Sequence, residues 1–194
     1  VAVYAGGPIS GAHYNPAVTL TLWLRGKIET TMALMYVVAQ VAGGFVGAVL
    51  GRIIVGASVA PSVGPESTLF QALVAETTFT AILCFVVLGV ATHSKAEGNS
   101  YFGAAIGLTV YVGATCVGGV SGGCFNPAVA LGLTLARRFW VIGYPLLVVA
   151  ADLVGGVLGA LAYYCADPTD FAHFSDAAHE VVDEARGLLR RRAA

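Results

Sequence analysis

Ser121-Gly122-Gly123-Cys124-Phe125-Asn126-Pro127-Ala128-Val129-Ala130-Leu131-Gly132-Leu133 decides the reading of this chain, because most of it has occurred once before. The earlier copy is Ser10-Gly11-Ala12-His13-Tyr14-Asn15-Pro16-Ala17-Val18-Thr19-Leu20-Thr21-Leu22, and the two agree at eight of thirteen positions without a gap. Each copy is a Gly-rich turn, then Asn-Pro-Ala, then a short apolar run. Proline fits the first turn of a helix, where its missing N–H would be unpaired anyway. Asn is among the preferred residues for the position just before it. Each copy therefore predicts an irregular loop feeding the N-terminus of a short helix. The first is expected from Pro16 to Leu24, and the second ends at Arg137-Arg138.

Composition says where those loops sit. Hydrophobic residues make up 57% of the 194, charged residues 11%, and the mean hydropathy is +0.80. A soluble domain carries about 25% charged residues, so this is a membrane protein. The length makes one transmembrane domain, residues 1–166, with a tail over 167–194. A net charge of -1 without a basic stripe excludes a nucleic-acid partner. Cys84, Cys116, Cys124 and Cys165 lack metal-site spacing and read as small packing residues. No cofactor is implied. The chain starts at Val1 inside an apolar stretch, so its N-terminus is expected to be cut or unresolved.

Spanning a bilayer takes about 20 apolar residues. The stretch before Ser10 is a lead-in too short to cross. Four later segments are long enough: residues 32–50, 69–91, 101–120 and 140–165. Gly43, Gly47 and Gly51 recur every four residues in the first, a spacing that lets helices approach closely in lipid. Asp167-Pro168 ends the last. In the tail, Phe174, Ala178, Val181, Val182, Ala185, Leu188 and Leu189 fall on one helical face. A cytoplasmic helix lying on lipid or a partner and a solvated tail are both open readings there.

The repeat extends past the two loops. Val37 to Gly44, centred on Gln40, resembles Val149 to Gly156, centred on Asp152. Three spans separate the two Asn-Pro-Ala motifs, so the short helices must enter from opposite sides, as in an inverted repeat with its site near the midplane. Placing the 92–100 turn in the cytoplasm puts Arg25, Lys27, Lys95, Arg186 and Arg190 to Arg192 inside and leaves Arg52, Arg137 and Arg138 outside. That is the expected excess.

Two half-helices meeting N-terminus to N-terminus bring roughly half a positive charge each to one depth. Irregular backbone is tolerated there only if it is buried in protein or lines a wet cavity. Asn15 and Asn126 offer amide donors, and the loop carbonyls of Gly11 to His13 and Gly122 to Cys124 offer acceptors. A neutral molecule with lone pairs could pass by exchanging hydrogen bonds, while a cation would face the positive ends.

The doubled Ser-Gly…Asn-Pro-Ala-Val signature resembles that of the aquaporin and aquaglyceroporin (major intrinsic protein) family, over about Val3 to Tyr164. Ala75-Glu76 with Thr80, and Ala105 to Leu108, are further matches. The resemblance implies an all-α membrane fold: an aquaporin-like inverted repeat with two half-helices, N-terminally truncated so that about four full spans are present. It implies homotetramers, or neighbours in a membrane complex, with one pore per subunit. Asn15 and Asn126 correspond to the central pore asparagines, and Glu76 to a buried acid bracing a loop through its N–H groups. The family's first span and most of its second have no counterpart here. Three positions of the outer constriction map to Ala114, Gly123 and Val129, all small, where the family usually has Arg at the third and water-selective members often have His at the first. The pore is then wide and apolar at its outer end, unless Val129 packs against neighbouring helices as its counterpart Val18 would.

Other polar groups have two readings each. Asp152, where the family usually has Pro, is either a structural carboxyl or a pore-facing charge offsetting the dipoles. Gln40 and Glu76 are expected to satisfy buried backbone. His13 and Cys124 line the loops through their backbones, with a gating role as the sharper alternative. Tyr163-Tyr164 and Trp140 are expected as interfacial anchors. The function these readings favour is a passive channel for water and small neutral solutes such as glycerol, urea, ammonia or hydrogen peroxide. A non-conducting structural subunit is the alternative. No nucleophile–base pair supports an enzyme.

Overall fold

The computed structural model describes residues 1–57, 59–137 and 143–168. Among them are seven α-helices: α1 (Ala2–Ser10), α2 (Pro16–Leu24), α3 (Thr30–Val55), α4 (Leu69–Ala91), α5 (Phe102–Ser121), α6 (Pro127–Arg137) and α7 (Gly143–Ala166). Helices α3, α4, α5 and α7 are long and apolar enough to cross a membrane. Helices α2 and α6 are the two half-helices, each starting at the proline of its motif. The tail from residue 169 onward, Arg138 and Trp140 lie outside the described residues.

The lead-in forms a helix. Helix α1 is nine residues long, too short to span, and Gly11 ends it in the left-handed conformation at φ 72°. Tyr4 ties it to α5: its hydroxyl donates to Ser100 O at 3.0 Å and accepts from Ala104 N–H at 3.0 Å. The second bond satisfies one of the donors that a helix start leaves unpaired. Helix α4 begins in a capping box, with Thr68 Oγ1 accepting from Gln71 N–H and Gln71 Oε1 accepting from Thr68 N–H.

Close packing is carried by glycines other than those the spacing in α3 suggested. A Cβ on Gly43, Gly47 or Gly51 would meet nothing within 4 Å. The contact lies one residue along, where Gly44 sits on the Ala128 backbone and Gly132 sits on Gly44 itself, joining α3 to α6. A second i, i+4 pair works in α7. A Cβ on Gly155 would stand 2.6 Å from Thr77 O and one on Gly159 2.6 Å from Ala81 O, so α7 lies directly on the α4 backbone. Between them a Cβ on Gly156 would stand 2.9 Å from Ala17 O of α2.

The apolar core follows from this packing. Ala17, Val18 and Leu22 of α2 meet Leu83, Cys84, Val87 and Leu88 of α4 and Ala160 and Tyr163 of α7. Tyr163 is therefore a core residue, 5% exposed, and not the interfacial anchor expected of it. Its ring stacks edge-on to Phe85 and lies 5.5 Å from the Arg25 guanidinium. Arg25, at the end of α2, is buried and donates Nε–H to Thr92 Oγ1 at 3.2 Å. Cys84 and Cys124 are buried as small packing residues, whereas Cys116 and Cys165 are exposed. Helix α3 has no buried residue; it packs on α6 and lightly on α2, leaving its other faces for lipid or further protein.

Candidate functional site

The two loops are shaped by residues that sequence alone would not place in strained backbone. Tyr14 and Phe125, each just before its asparagine, have φ of 50° and 48°. Such left-handed backbone costs a non-glycine residue about 1–2 kcal/mol. It turns each residue's carbonyl toward the opposite loop, where an asparagine takes it up.

Asn15 accepts from Ala17 N–H through Oδ1 at 2.9 Å and so caps α2. Its Nδ2 donates across to Phe125 O at 2.7 Å. Asn126 repeats both bonds, accepting from Ala128 N–H at 3.0 Å and donating Nδ2–H to Tyr14 O at 2.9 Å. Each side chain thus caps its own half-helix and ties it to the other. The two N-termini, with their partial positive charges, are held face to face. The acceptors used are the Tyr14 and Phe125 carbonyls, so these two bonds leave those of Gly11 to His13 and Gly122 to Cys124 out.

Each loop is braced from behind. Glu76, fully buried on α4, accepts from Cys124 N–H at 3.1 Å through Oε1 and from Phe125 N–H at 2.7 Å through Oε2. The Phe125 ring packs against Phe79 at 5.5 Å, both pressed on Gly113. Tyr144 of α7 donates its hydroxyl to Ser121 O at 2.8 Å. On the first loop the brace is Thr19: its Oγ1 donates to Asn15 O at 3.1 Å and accepts from Gln40 Nε2 at 2.8 Å. His13 Nδ1 lies 3.2 Å from the same hydroxyl, with its ring tilted against Tyr36. Thr19 and Tyr144 were not singled out from the sequence. A hydroxyl one turn inside a capped half-helix was the available signal for Thr19, whereas nothing local marks Tyr144.

A cavity of about 860 Å³ leads to this junction, lined by both asparagines, His13 and Tyr14. Val18, Leu22, Leu83, Val87, Ile106 and Val110 form apolar walls, and Lys27, His93, Glu97 and Asn99 ring its mouth beside the α4–α5 turn. Asp152 is fully buried, accepts from Thr80 Oγ1 at 3.0 Å and lines neither described cavity.

Ala114 and Gly123 are neighbours: a Cβ on Gly123 would stand 3.5 Å from Ala114 Cα. Gly123 has φ 62°, which favours glycine there. Val129, 38% exposed, borders a separate cavity of about 370 Å³ together with Gly44, Gly47 and Gly51 of α3.

Comparison with known proteins agrees with this geometry. Residues 1–163, and again 101–189, match the family described as Major intrinsic protein. Aquaporin NIP1-1 of Zea mays is 37% identical over 169 residues, covering 84% of this chain and 57% of the maize protein. Aquaporin AqpM of Methanothermobacter marburgensis is 35% identical over 174 residues, 83% of this chain and 70% of that protein. The aquaglyceroporin from Plasmodium falciparum, known from an X-ray structure, superposes with a TM-score of 0.70 at 25% identity, covering 83% of this chain and 75% of that one. The chain spans less than two thirds of the length of the plant relatives it matches, 57% of the maize protein and 65% of probable aquaporin NIP4-2 of Arabidopsis thaliana. On the doubled motif, the interlocked loops and these matches together, the chain belongs to the major intrinsic protein family.

Proposed function

We propose that this chain forms the pore-bearing part of a passive membrane channel for water and small neutral solutes. The observation that carries the reading is the reciprocal bonding of Asn15 and Asn126 at the end of the large cavity. A side-chain amide has two N–H groups. One from each asparagine goes to the opposite loop, which leaves the second for a passing molecule's lone pair. Two helix N-termini at the same point favour neutral molecules over cations. The printed names of the relatives, aquaporin and aquaglyceroporin, support the same class.

Small residues at Ala114, Gly123 and Val129 support a wide outer constriction, so glycerol, urea, ammonia or hydrogen peroxide pass as well as water. The face of α3 left open is suited to neighbouring subunits, as in a homotetramer. The excess of basic residues beside the 92–100 turn supports a cytoplasmic position for that end and for the tail.

Stopped-flow light scattering of proteoliposomes carrying the full-length gene product tests the reading. Vesicles should shrink faster than protein-free ones in sucrose and re-swell in glycerol. Shrinkage and re-swelling no faster than in empty vesicles, with the protein folded and inserted, would instead identify a non-conducting structural subunit.

A further inference from the structure

Asp152 has an unusual place among the buried polar groups. Its Oδ1 is taken by Thr80, but its Oδ2 is equally buried and receives no well-formed N–H or O–H bond from the described residues. Glu76, itself fully buried, stands one turn before Thr80 on the same face of α4, which brings a second acid beside Asp152. Both Glu76 oxygens already accept from the loop, one from Cys124 N–H and the other from Phe125 N–H. Among the described residues, neither acid is paired with a cation.

Two neighbouring carboxyl groups at a dry site repel if both are ionised. A single proton held between them turns that repulsion into a charge-assisted O–H···O bond, among the strongest hydrogen bonds in proteins. The first half of the molecule offers a parallel. Gln40, the residue matching Asp152 in the repeat, donates its amide to Thr19 and through it steadies the first loop.

We propose that Asp152 is a positioning residue that donates its Oδ2–H to Glu76, fixing that carboxylate where it grips the second asparagine loop. Asp152 touches neither cavity, so it acts on passage only through Glu76. The pair then carries one negative charge beside the N-terminus of α6, which the loop N–H groups and the helix end together accept. The proposal rests on the loop geometry; the channel reading enters only through the flux measurement.

Infrared spectra of the full-length protein in bilayers, with and without carboxyl-¹³C aspartate, test it. Wild type should show, at neutral pH, a protonated-carboxyl C=O band that shifts on labelling and is missing from Asp152→Asn. Asp152→Asn still has a donor for Glu76 and should keep solute flux within about twofold. Asp152→Ala has none and should lose roughly tenfold, as expected for a lost bond to a charged partner. No labelled-aspartate acid band in wild type, a band that survives in Asp152→Asn, or equal flux in the Ala and Asn variants would overturn the proposal. If Asp152→Ala does not fold, the wild-type and Asn spectra decide alone. If wild type conducts nothing, the channel reading fails while the spectra still decide this one.

Discussion

Asn15 and Phe125 are 110 positions apart in sequence, yet the Asn15 amide donates to the Phe125 carbonyl at 2.7 Å, inside a junction where Asn126 returns the same bond to Tyr14. The reciprocity makes the two half-helices one mechanical unit. Asn15→Ala removes a cap, worth about 1 kcal/mol, together with the cross-loop bond, worth a similar amount. Thermal unfolding in detergent should show a loss of about 2 kcal/mol for Asn15→Ala and again for Asn126→Ala. The double variant should lose less than the sum, because the two bonds share one geometry.

Glu76→Gln tests the brace. Glutamine keeps the size but replaces one acceptor with an NH₂ group facing a backbone N–H. One of the Cys124 and Phe125 donors is left unpaired in a dry site, at a cost of about 1–3 kcal/mol. The expected result is a lower unfolding temperature together with reduced osmotic flux. A fully stable, fully conducting Glu76→Gln would show that the loop needs no carboxylate.

Glycine substitutions should separate contact from spacing. Gly132→Ala drives a methyl group into the Gly44 backbone and Gly155→Ala into Thr77 O, so each should destabilise by about 1–3 kcal/mol. Gly47→Ala and Gly51→Ala meet nothing within 4 Å. They should be neutral, or stabilising by up to about 1 kcal/mol through helix propensity. Unfolding midpoints of the four variants in one detergent check the contrast.

Those glycines also mark what could be read from the chain and what could not. The half-helices were legible because an Asn cap and a Pro at the first turn are local chemistry, written twice. The spans were legible because hydropathy requires no knowledge of neighbours. The rotation of each helix about its axis is different: it is set by the partner it meets. That is why Gly44, and not Gly43 or Gly47, meets α6, and why Tyr163 turned inward to Arg25 and Phe85. The left-handed backbone at Tyr14 and Phe125 was equally hidden, since neither residue type signals it. Glu76 reaching Cys124 and Phe125 followed from family resemblance and could not have been found from spacing, because the bonds join positions 48 and 49 residues apart.

Val129→Arg tests the wide constriction. An arginine at the third position would add a long, charged, hydrogen-bonding side chain where a valine now stands 38% exposed. Glycerol flux should fall more than water flux in paired stopped-flow measurements. Equal reduction of both, or of neither, would place Val129 off the path and assign it to the α3–α6 packing beside its present cavity.

The claim beneath all of this is that two opposed loops lock through their asparagines. Solid-state NMR of the isotopically labelled protein in lipid bilayers reads it directly, as magnetisation transfer between a side-chain nitrogen and a backbone carbonyl carbon. The account predicts cross-loop transfer from Asn15 Nδ2 to the Phe125 carbonyl and from Asn126 Nδ2 to the Tyr14 carbonyl. Spectra in which each amide correlates only with carbonyls of its own loop would contradict it.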